Sequence, residues 1–299
     1  MTLKENKFSN IESSLNLGPS LSDSMFAAFS DFIYKHTGIV MRDNKKTLLS
    51  NRLRKRLKIL KFNSYEQYWT LLQDTVKNKD EMYHFLDVVS TNETYFQRGT
   101  SHYEITKRHL LPSFIKDHKQ HVNIWSAGSS TGEEPYDIAI FMNEYIEKNP
   151  FVQFSILATD LSQEVLEVAK KGEYADRKIS KLSIEQRNKY FDKINPENSS
   201  LSFAREVLRV KPVLKKNLRF HHHNLIKDPY HTGMDIIFCR NVMIYFDRET
   251  QKNIVNKFAR ALNNNGYLFI GHSETLQLVE VNVNPVRFPE GTVYQKKNE

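Results

Sequence analysis

The segment that most constrains the fold of this chain is Val122–Asp137, which reads VNIWSAGSSTGEEPYD. It opens with a short apolar run and continues into a turn of small residues that contains Gly128 and Gly132. Pro135 and two acidic residues then suit the first turn of a helix, where free N–H groups carry partial positive charge. Apolar residues recur at helical spacing from Ile138 onward. The pattern predicts a strand, a glycine turn and a helix, as in doubly wound α/β folds that bring backbone close to a cofactor.

The chemistry of this turn narrows the class of ligand. The turn lacks the three glycines of the dinucleotide fingerprint, and no Lys follows its second glycine as a P-loop requires. Glu133 and Glu134 at the helix start would also repel a phosphate. A cationic ligand fits better, and S-adenosylmethionine, which carries a sulfonium and an ammonium group, is the obvious candidate. A strand–turn–helix without any ligand is the alternative, because short glycine turns are weak signals.

The composition is that of a globular protein. A length of 299 residues predicts one large or two modest domains. Cys239 is the single cysteine, which excludes an intrachain disulfide and a multi-cysteine metal site. The first residues lack the apolar core of a secretory signal, and no apolar run is long enough to span a bilayer. We therefore expect a cytoplasmic protein without direct membrane insertion.

The positive charge is concentrated in one segment. The chain has a formal net charge of +8, and the segment Arg42–Lys61 alone carries nine basic residues and one acidic residue. A solvated helix face is the ordinary explanation of such a run. Its single sign favours a binding surface instead, either for an acidic protein helix or for a nucleic-acid backbone. Aromatic residues do not interleave with the charges, which weakens the case for single-stranded nucleic acid.

The N-terminal third predicts a small all-α domain. Residues 1–20 are polar and are expected to be disordered. Four amphipathic helices are expected within residues 21–90, with Ser22 or Asp23 capping the first and Ser64 capping the third. The second helix, roughly Asn44 to Leu60, places leucines on one face and basic residues on the other.

Polar residues follow several predicted strands. The strand Phe154–Asp160 ends in a carboxylate, which can accept hydrogen bonds from the ribose hydroxyls of an adenosine cofactor. The buried strand Asp235–Cys239 is followed by Arg240–Phe246, at the edge where open α/β sheets bind ligands. The mixed polar and aromatic loop Thr91–Arg98 is suited to closing over a polar ligand. These segments predict one site built from several loops.

The remaining segments are less regular. Short β-prone pieces, including Leu218–Phe220, predict an inserted small antiparallel sheet within residues 185–222. Further strands are expected at Gly266–Gly271 and, as a single last strand, at Phe288–Tyr294. His221–His223 could suggest a metal, but adjacent residues of a strand point to opposite faces and cannot all reach one ion. No metal is therefore expected.

Four segments in this order, TNETYFQR, WSAGSSTGEEPY, ILATD and IFCRNVMIYF, followed by GHSE, closely resemble the chemotaxis receptor glutamate methyltransferases of the CheR type. The resemblance extends from about Phe26 to Tyr294. It implies an α/β fold: a class I, Rossmann-like S-adenosylmethionine methyltransferase domain within residues 91–299. This domain would carry the small antiparallel β-subdomain insertion and would be preceded by the all-α N-terminal domain.

The resemblance also implies the residues that hold the cofactor, S-adenosylmethionine, and its product S-adenosylhomocysteine. They are Asn92, Thr94, Arg98, Glu134, Asp160, Asn224, Leu225, Arg240 and Asn241. Glu134, in preference to Glu133, would bind the methionine portion. Asp160 would hold the ribose, and Asn224 and Leu225 would flank the adenine.

The resemblance further implies catalytic residues and a substrate. Arg98 and Tyr245 would be catalytic, with Arg240 and Asn241 also lining the transfer site. Methyl groups would be transferred to glutamates on the cytoplasmic helical signalling domain of methyl-accepting chemotaxis receptors, whose C-terminal tail is bound by the β-subdomain of some family members. The basic helix would dock that acidic domain through Arg52, Arg54 and Arg56. The chain is expected to act as a monomer.

The expected chemistry agrees with the residues present. A glutamate is already ionised near neutral pH, so its attack on a sulfonium methyl group needs no general base. The transition state loses charge as the methyl group moves, and a dry pocket that aligns the two reactants supplies most of the acceleration. Arg98 can hold the incoming carboxylate with two parallel hydrogen bonds. Tyr245 can orient the substrate or the cofactor.

The sequence departs from the family pattern at a few positions. Gln97 stands where the family usually has an aromatic residue, and Glu93 lies at a variable position. Asp137 replaces a commoner Ser, and Ser129 replaces a commoner Ala or Cys. Because Gln97 adjoins Arg98, these departures bear most on substrate preference.

Two alternative functions compete with this interpretation. A nucleic-acid methyltransferase would use the basic helix on phosphates, but such amino-methylating enzymes carry an Asn/Asp-Pro-Pro-Tyr segment where this chain has Arg240–Met243. We therefore expect no nucleic-acid partner. A non-catalytic S-adenosylmethionine sensor that binds receptors is the second alternative, and the retention of Arg98 and Tyr245 argues against it.

Overall fold

The computed structural model describes residues 19–74, 77–276 and 280–297. These residues form two compact units. One comprises the chain up to Tyr34 together with Met41–Val89, and the other comprises Lys35–Val40 together with the chain from Ser90 onward. Residues 1–18 of the expected disordered tail lie outside the described residues.

The first unit is helical. Its helices are α1 (Asp23–Thr37, of which the part up to Tyr34 is counted in this unit), α2 (Lys46–Leu60), α3 (Tyr65–Gln73) and α4 (Lys79–Val89). The expected capping residues are in place, because Ser22 Oγ accepts the N–H of Met25 at 3.2 Å and Ser64 Oγ accepts that of Gln67 at 3.3 Å. These bonds satisfy amide groups that the first helical turn leaves unpaired.

An aromatic cluster forms the core of this unit. Phe29 of α1 is fully buried and makes edge contacts with Tyr65 and Trp69 of α3, at ring-centroid distances of 6.4 and 5.3 Å. Phe85 of α4 stacks on Phe29 at 6.1 Å. Aromatic pairs in these geometries contribute about 0.5–1.5 kcal/mol beyond the area that they bury. The predicted all-α N-terminal part of the fold is therefore packed around side chains from α1, α3 and α4.

The second unit is built on a mixed sheet. In the described part of the chain this sheet has seven strands: β1 (His121–Ala127), β2 (Gln153–Asp160), β6 (Leu218–His222), β7 (Met234–Cys239), β8 (Leu262–Ile270), β9 (Val283–Phe288) and β10 (Gly291–Lys296). They lie in the spatial order β6-β2-β1-β7-β8-β10-β9. The first five in spatial order are parallel, and β10 pairs antiparallel with β8 and β9. The order reverses between β1 and β7, which creates a topological switch point at their carboxyl ends.

Helices connect and flank the strands of this unit. The longer ones are α7 (Glu133–Lys148), α8 (Gln163–Lys171) and α12 (Arg248–Ala261). The shorter ones are α5 (Thr100–Ile105), α6 (Leu111–Lys116), α9 (Asp176–Ile179), α10 (Ile184–Tyr190) and α11 (Pro212–Lys215). A π-helical stretch, Thr106–Leu110, joins α5 to α6. The buried strands β1, β2 and β7 supply much of the apolar core between the main sheet and these helices.

A small antiparallel sheet is present, but its composition differs from the expected insertion. It consists of β3 (Glu173–Ala175), β5 (Val207–Val210) and β4 (Phe191–Ile194) in that order. Leu218–Phe220, expected within the small sheet, belongs instead to β6, which pairs in parallel with β2 of the main sheet. The short strand β3 precedes the expected start of the insertion. A strand of five residues with alternating exposure carries too little apolar periodicity to reveal which sheet it joins.

The end of the chain forms a hairpin where a single strand was expected. Phe288 is the last residue of β9, and Tyr294 lies in the middle of β10. The chain turns between them, and residue pairs from Gly291↔Phe288 to Lys296↔Val283 form an antiparallel ladder. Glycine in a β-prone segment is a signal of such a turn, and Gly291 adopts φ +154°.

The two glycines of the turn after β1 have distinct structural reasons. Gly128 has φ +87°, and a Cβ there would lie 2.5 Å from a methyl group of Val242. Gly132 has φ +96°, and a Cβ there would lie 2.8 Å from Ala169 Cβ and 2.9 Å from the Tyr174 hydroxyl. The turn therefore requires glycine at both positions. Its backbone is left-handed there, and Val242, Ala169 of α8 and the Tyr174 hydroxyl leave no room for a side chain.

We expect Gly132→Ala to lower the free energy of unfolding by about 2–5 kcal/mol, because a left-handed residue costs about 1–2 kcal/mol and an overpacked site costs about 1–3 kcal/mol. Gly233→Ala is the matched control, since Gly233 has φ +78° but nothing within 4 Å of an added Cβ. The control should lose only the backbone part, about 1–2 kcal/mol. Urea unfolding of both variants measures the difference, and equal losses would contradict the packing argument.

Candidate active site

The carboxyl ends of three parallel strands bring most of the predicted site residues to one edge of the sheet. Asp160 is the last residue of β2, Arg240 follows β7, and the turn after β1 leads to Glu134 in the first turn of α7. Ligands bind outside the carboxyl ends of strands at a switch point. The sheet topology therefore places these charged groups where a ligand of this fold would bind.

Asp160 is buried and is held by backbone amides. Its Oδ2 accepts the N–H of Ser130 at 2.8 Å, and its Oδ1 accepts the N–H of Ser162 at 3.0 Å. Burial raises the pKa of the Asp160 carboxyl, and the hydrogen bonds from these amides act in the opposite direction. A carboxylate has about four acceptor positions, so Asp160 retains capacity for further donors. Its contact with Ser130 also fixes the glycine turn.

The adjacent glutamates of α7 have different surroundings. Glu133 has no exposed surface, and it accepts hydrogen bonds from Thr131 Oγ1 at 2.6 Å and from Lys178 Nζ at 3.0 Å. The Glu134 side chain keeps 13% of its surface exposed, while Ser126 Oγ donates to it at 2.7 Å and Arg240 Nε lies 3.2 Å away. Glu133 is thus an internal anchor, and Glu134 is the one of the pair that has surface to offer a ligand.

The junction loop Thr91–Arg98 is fixed to the α/β unit through its backbone. Ser130 Oγ donates to the Asn92 carbonyl at 2.8 Å, and Lys178 Nζ donates to the Thr94 carbonyl at 3.0 Å. Arg240 Nη2 donates to the Arg98 carbonyl. Within the loop, Arg98 Nη1 donates to the carbonyl of Glu93 at 3.0 Å, and its guanidinium lies over the Tyr95 ring at 5.4 Å. The loop is consequently held to both the glycine turn and the end of β7.

Arg240 lies inside the site and contributes to its framework. Its side chain is 3% exposed, and its guanidinium contacts Glu134, the Arg98 carbonyl and the ring of Tyr103 at 5.3 Å. Charge pairing with Glu134 offsets the cost of burying a guanidinium. The structure therefore places Arg240 as a link between α7 and the junction loop.

The loop after β7 is organised by Glu274, to which the sequence analysis assigned no role. The Glu274 carboxylate accepts backbone N–H groups from Gly271 at 2.5 Å, Asn241 at 2.9 Å and Ile244 at 3.1 Å. Asn241 has φ +61°, a conformation that surrounding contacts must maintain. Burial raises the pKa of Glu274, against the effect of these amides. Glu274 thereby shapes the 3₁₀ turn Met243–Tyr245, on which Tyr245 is half-buried.

Asn224 and Leu225 organise the loop after β6. The Asn224 side chain donates to the His36 carbonyl at 2.8 Å and accepts the N–H of Ile226 at 2.9 Å. The Leu225 carbonyl accepts a hydrogen bond from the Tyr230 hydroxyl at 2.9 Å. The side-chain amide of Asn224 therefore has protein partners on both its oxygen and its nitrogen, and a role beside an adenine stays a prediction.

The basic helix α2 belongs to the helical unit, and Arg52 and Arg56 have partners there. Arg56 is 14% exposed and forms a paired contact with Glu81, which also accepts the Tyr68 hydroxyl at 2.7 Å. Arg52 Nη1 donates to the Val89 carbonyl at 2.9 Å, and Arg54 is half-buried. Lys55 and Lys58 on the same helix are exposed. The helix thus presents its free charge mainly through lysines, and substrate binding by the three arginines stays a prediction.

The histidine run does not form a metal centre. His223 packs edge-on against Trp125 at 5.3 Å, and its pKa is lowered to about 4 by burial. No cluster of three or more His, Cys, Asp or Glu suited to a metal ion occurs in residues 19–74, 77–276 and 280–297. Over these same ranges, no helix has the length and apolar character needed to cross a membrane.

The strand order, the glycine turn and the acid at the end of β2 define a class I S-adenosylmethionine-dependent methyltransferase. Residues 92–291 match the family model described as "CheR methyltransferase, SAM binding domain", and residues 24–90 match "CheR methyltransferase, all-alpha domain". The chain belongs to the CheR methyltransferase family. The predicted fold class, enzyme class and cofactor are confirmed by these matches.

Curated relatives agree along nearly the whole chain. A chemotaxis protein methyltransferase of Borreliella burgdorferi is 35% identical over 93% of this chain and 94% of its own length. Those of Salmonella typhimurium and Escherichia coli are 35% and 34% identical, covering 85% and 87% of this chain and the same shares of their own. The similarity therefore includes both the all-α part and the methyltransferase part.

We expect Glu274→Gln to lower kcat/KM for methyl transfer about tenfold or more, because a neutral amide holds backbone N–H donors less strongly and a lost buried bond costs about 1–3 kcal/mol. Initial rates with saturating cofactor measure the effect. Glu290→Gln serves as the control, since Glu290 is another largely buried acid but faces His109. Equal rates in the two variants would show that Glu274 does not position the transfer loop.

Proposed function

We propose that this methyltransferase transfers the methyl group of S-adenosylmethionine to glutamate side chains of methyl-accepting chemotaxis receptors, and so serves chemotactic adaptation. The products are a glutamyl methyl ester and S-adenosylhomocysteine. The observation that carries the proposal is the similarity to chemotaxis protein methyltransferases over 93% of the chain, with both family domains present. The proposal places the enzyme in the cytoplasm, beside the receptor signalling domains.

The cofactor would be held by groups from three strand ends. Asp160 is assigned the ribose hydroxyls, because its carboxylate retains acceptor capacity at the end of β2. Glu134 is assigned the ammonium group of the methionine portion, because it is the partly exposed acid of the pair. Asn92, Thr94 and Arg98 would contact the cofactor from the junction loop, and Arg240 and Asn241 from the end of β7. Asn224 and Leu225 would flank the adenine.

In the proposed reaction the protein aligns the substrate carboxylate with the methyl group of the cofactor and excludes water from the site. When bound, the cofactor supplies an electrophilic methyl group on a sulfonium. Arg98 would hold the substrate carboxylate through its guanidinium, and Tyr245 would orient it from the turn that Glu274 fixes. Cys239 is buried and its pKa is raised well above its usual range by burial, so it is not a nucleophile in this reaction. A substrate carboxylate that is ionised at neutral pH needs no base from the enzyme.

A labelling experiment tests the proposal directly. The purified enzyme is incubated with radiolabelled S-adenosylmethionine and the receptor signalling domains of its own organism, and the product is treated with mild base. We expect label on the receptor that base releases as methanol, because glutamyl methyl esters are base-labile. Arg98→Ala should abolish the label. Label that survives base treatment, or label on nucleic acid only, would refute glutamate esterification.

The receptor-binding surface is proposed to be the basic face of α2. This face of α2 would bind the helical signalling domain of the receptors. The small antiparallel sheet is a second candidate surface, which would bind the C-terminal tail of a receptor. We propose that a single chain is sufficient for this interaction. One-signed charge on a helix promotes encounter with an acidic partner, and salt weakens it.

We expect the double variant Lys55→Glu with Lys58→Glu to raise the KM for receptor about tenfold and to leave cofactor affinity unchanged, since steering by surface charge commonly changes association rates by an order of magnitude or more. The matched control is Lys170→Glu with Lys171→Glu, which reverses two exposed lysines of α8. Methylation rates at several receptor and salt concentrations give the KM for receptor of each double variant and distinguish the α2 variant from the α8 control. A KM that both double variants raise equally would indicate a general charge effect and would exclude α2 as a specific surface.

A further inference from the structure

A buried carboxylate outside the predicted site holds the residue that precedes Arg98. Asp137 lies in the first turns of α7 and is 2% exposed. Its Oδ2 accepts the backbone N–H of Gln97 at 2.6 Å, and its Oδ1 accepts the Gln97 side-chain amide at 3.0 Å. The Tyr103 hydroxyl lies 3.5 Å from Oδ2. Both polar donors of Gln97 are thus directed at one side chain.

The backbone around Gln97 is fixed at three consecutive residues. Gln97 itself has φ +61°, a left-handed conformation that is costly for a residue other than glycine. Phe96 before it is fully buried and makes edge contacts with Tyr174 at 5.0 Å and Phe191 at 5.9 Å. The carbonyl of Arg98 after it accepts a hydrogen bond from Arg240. The direction in which the Arg98 side chain leaves the loop is therefore set by these contacts.

We propose that Asp137 is a positioning residue for Arg98: its ionised carboxylate holds Gln97 in the left-handed conformation and thereby orients the Arg98 guanidinium toward the substrate. The inference rests on the proposed role of Arg98 and deepens it. Substrate alignment in this chain consequently depends on a pair formed across 40 residues of sequence.

The surroundings of Asp137 make its charge dependent on pH. Arg240, at the end of β7, favours the ionised form, as do the hydrogen bonds from Gln97. Glu134 on the same helix disfavours it, and the hydroxyls of Tyr103 and Tyr174 also face the group. Burial is the largest effect and raises the pKa of the Asp137 carboxyl to about 8. Near neutral pH the group therefore takes up and releases a proton.

Ionisation of the Asp137 carboxyl favours the alignment of Arg98 but lowers the folding stability of the protein. The ionised carboxylate offers acceptor oxygens to both donors of Gln97, whereas the neutral acid carries a proton on one of them. Activity should therefore rise as pH increases through about 8. Because the folded-state pKa lies above the unfolded value, folding favours the protonated acid. The stabilising contribution of this group is complete below about pH 4 and is lost as pH rises through about 8.

The test is a double-mutant cycle on receptor methylation with Gln97→Met, Asp137→Leu and the double variant. We expect Gln97→Met to lower kcat/KM about threefold or more and Asp137→Leu about tenfold or more, with the double variant no slower than Asp137→Leu, because contacting residues are non-additive. Asn263→Leu is the matched control for Gln97→Met. It removes a side-chain amide that donates to the buried Asp235 at 2.6 Å, at the opposite end of β7. Additive effects, or an equal loss in the control, would overturn the proposal.

A conservative variant keeps the test decisive if Asp137→Leu fails to fold. Asp137→Asn retains an oxygen for the Gln97 N–H and an amide that can pair with a flipped Gln97 side chain. We expect its kcat/KM to stay within about threefold of the wild type at pH 8 and to be flat between about pH 7 and 9, while the wild type rises about threefold or more. Its unfolding free energy should also fall less steeply over about pH 5–8 than that of the wild type. A wild-type activity profile that is flat, or one that Asp137→Asn leaves unchanged, would contradict the proposal.

Failure of this inference is distinguishable from failure of the proposed function. A wild-type enzyme that labels no receptor refutes the proposed function. The same cycle is then measured on the dissociation constant of S-adenosylmethionine by calorimetry, since the loop that Asp137 holds is also assigned to the cofactor. Coupled losses of affinity in Gln97→Met and Asp137→Leu would support the positioning role, and additive losses would overturn it.

Discussion

Carboxylates that are buried or partly buried and that accept backbone amide groups determine the shape of this active site. Asp160 holds the glycine turn through Ser130, Asp137 holds the junction loop through Gln97, and Glu274 holds the loop after β7 through Asn241. The junction loop and the loop after β7 carry residues assigned to the cofactor or the substrate, and the glycine turn leads to Glu134 in α7. Amide groups that would otherwise lie unpaired beside a dry site are thus satisfied, which is a requirement for any buried loop. The geometry of the site depends on these side chains as much as on the residues proposed to contact ligands.

Sequence reasoning was most successful where the signal is local. The strand, glycine turn and helix at Val122–Asp137 could be predicted because apolar runs, small residues and helix-start signals occur within sixteen consecutive residues of one segment. The capping residues Ser22 and Ser64 follow from the same kind of local rule. The switch point at the ends of β1 and β7 then follows from topology, since the fold class fixes which strand ends adjoin.

Contacts between distant parts of the chain were not predictable in this way. The pairing of β6 with β2 and the hairpin of β9 and β10 depend on neighbours in space, which short strands do not encode. The role of Glu274 arises from amides about thirty residues away in sequence. Arg56 illustrates the same point, because helical periodicity places it beside a basic face while Glu81 draws it into the interior of its unit. No local pattern separates an arginine that binds a partner from one that closes a buried ion pair.

Burying these acids has a thermodynamic consequence that links the site to the fold. Burial raises the pKa of Asp137, Asp160 and Glu274, so folding takes place against the desolvation of each charge. Hydrogen bonds from backbone amides and the charge of Arg240 offset part of this desolvation free energy. They do so only while the loops keep their geometry. A loop that moved away would leave an unpaired buried charge behind it. The same electrostatic cost that lowers stability therefore confines the loops to one arrangement, which is what a methyl transfer that depends on alignment requires.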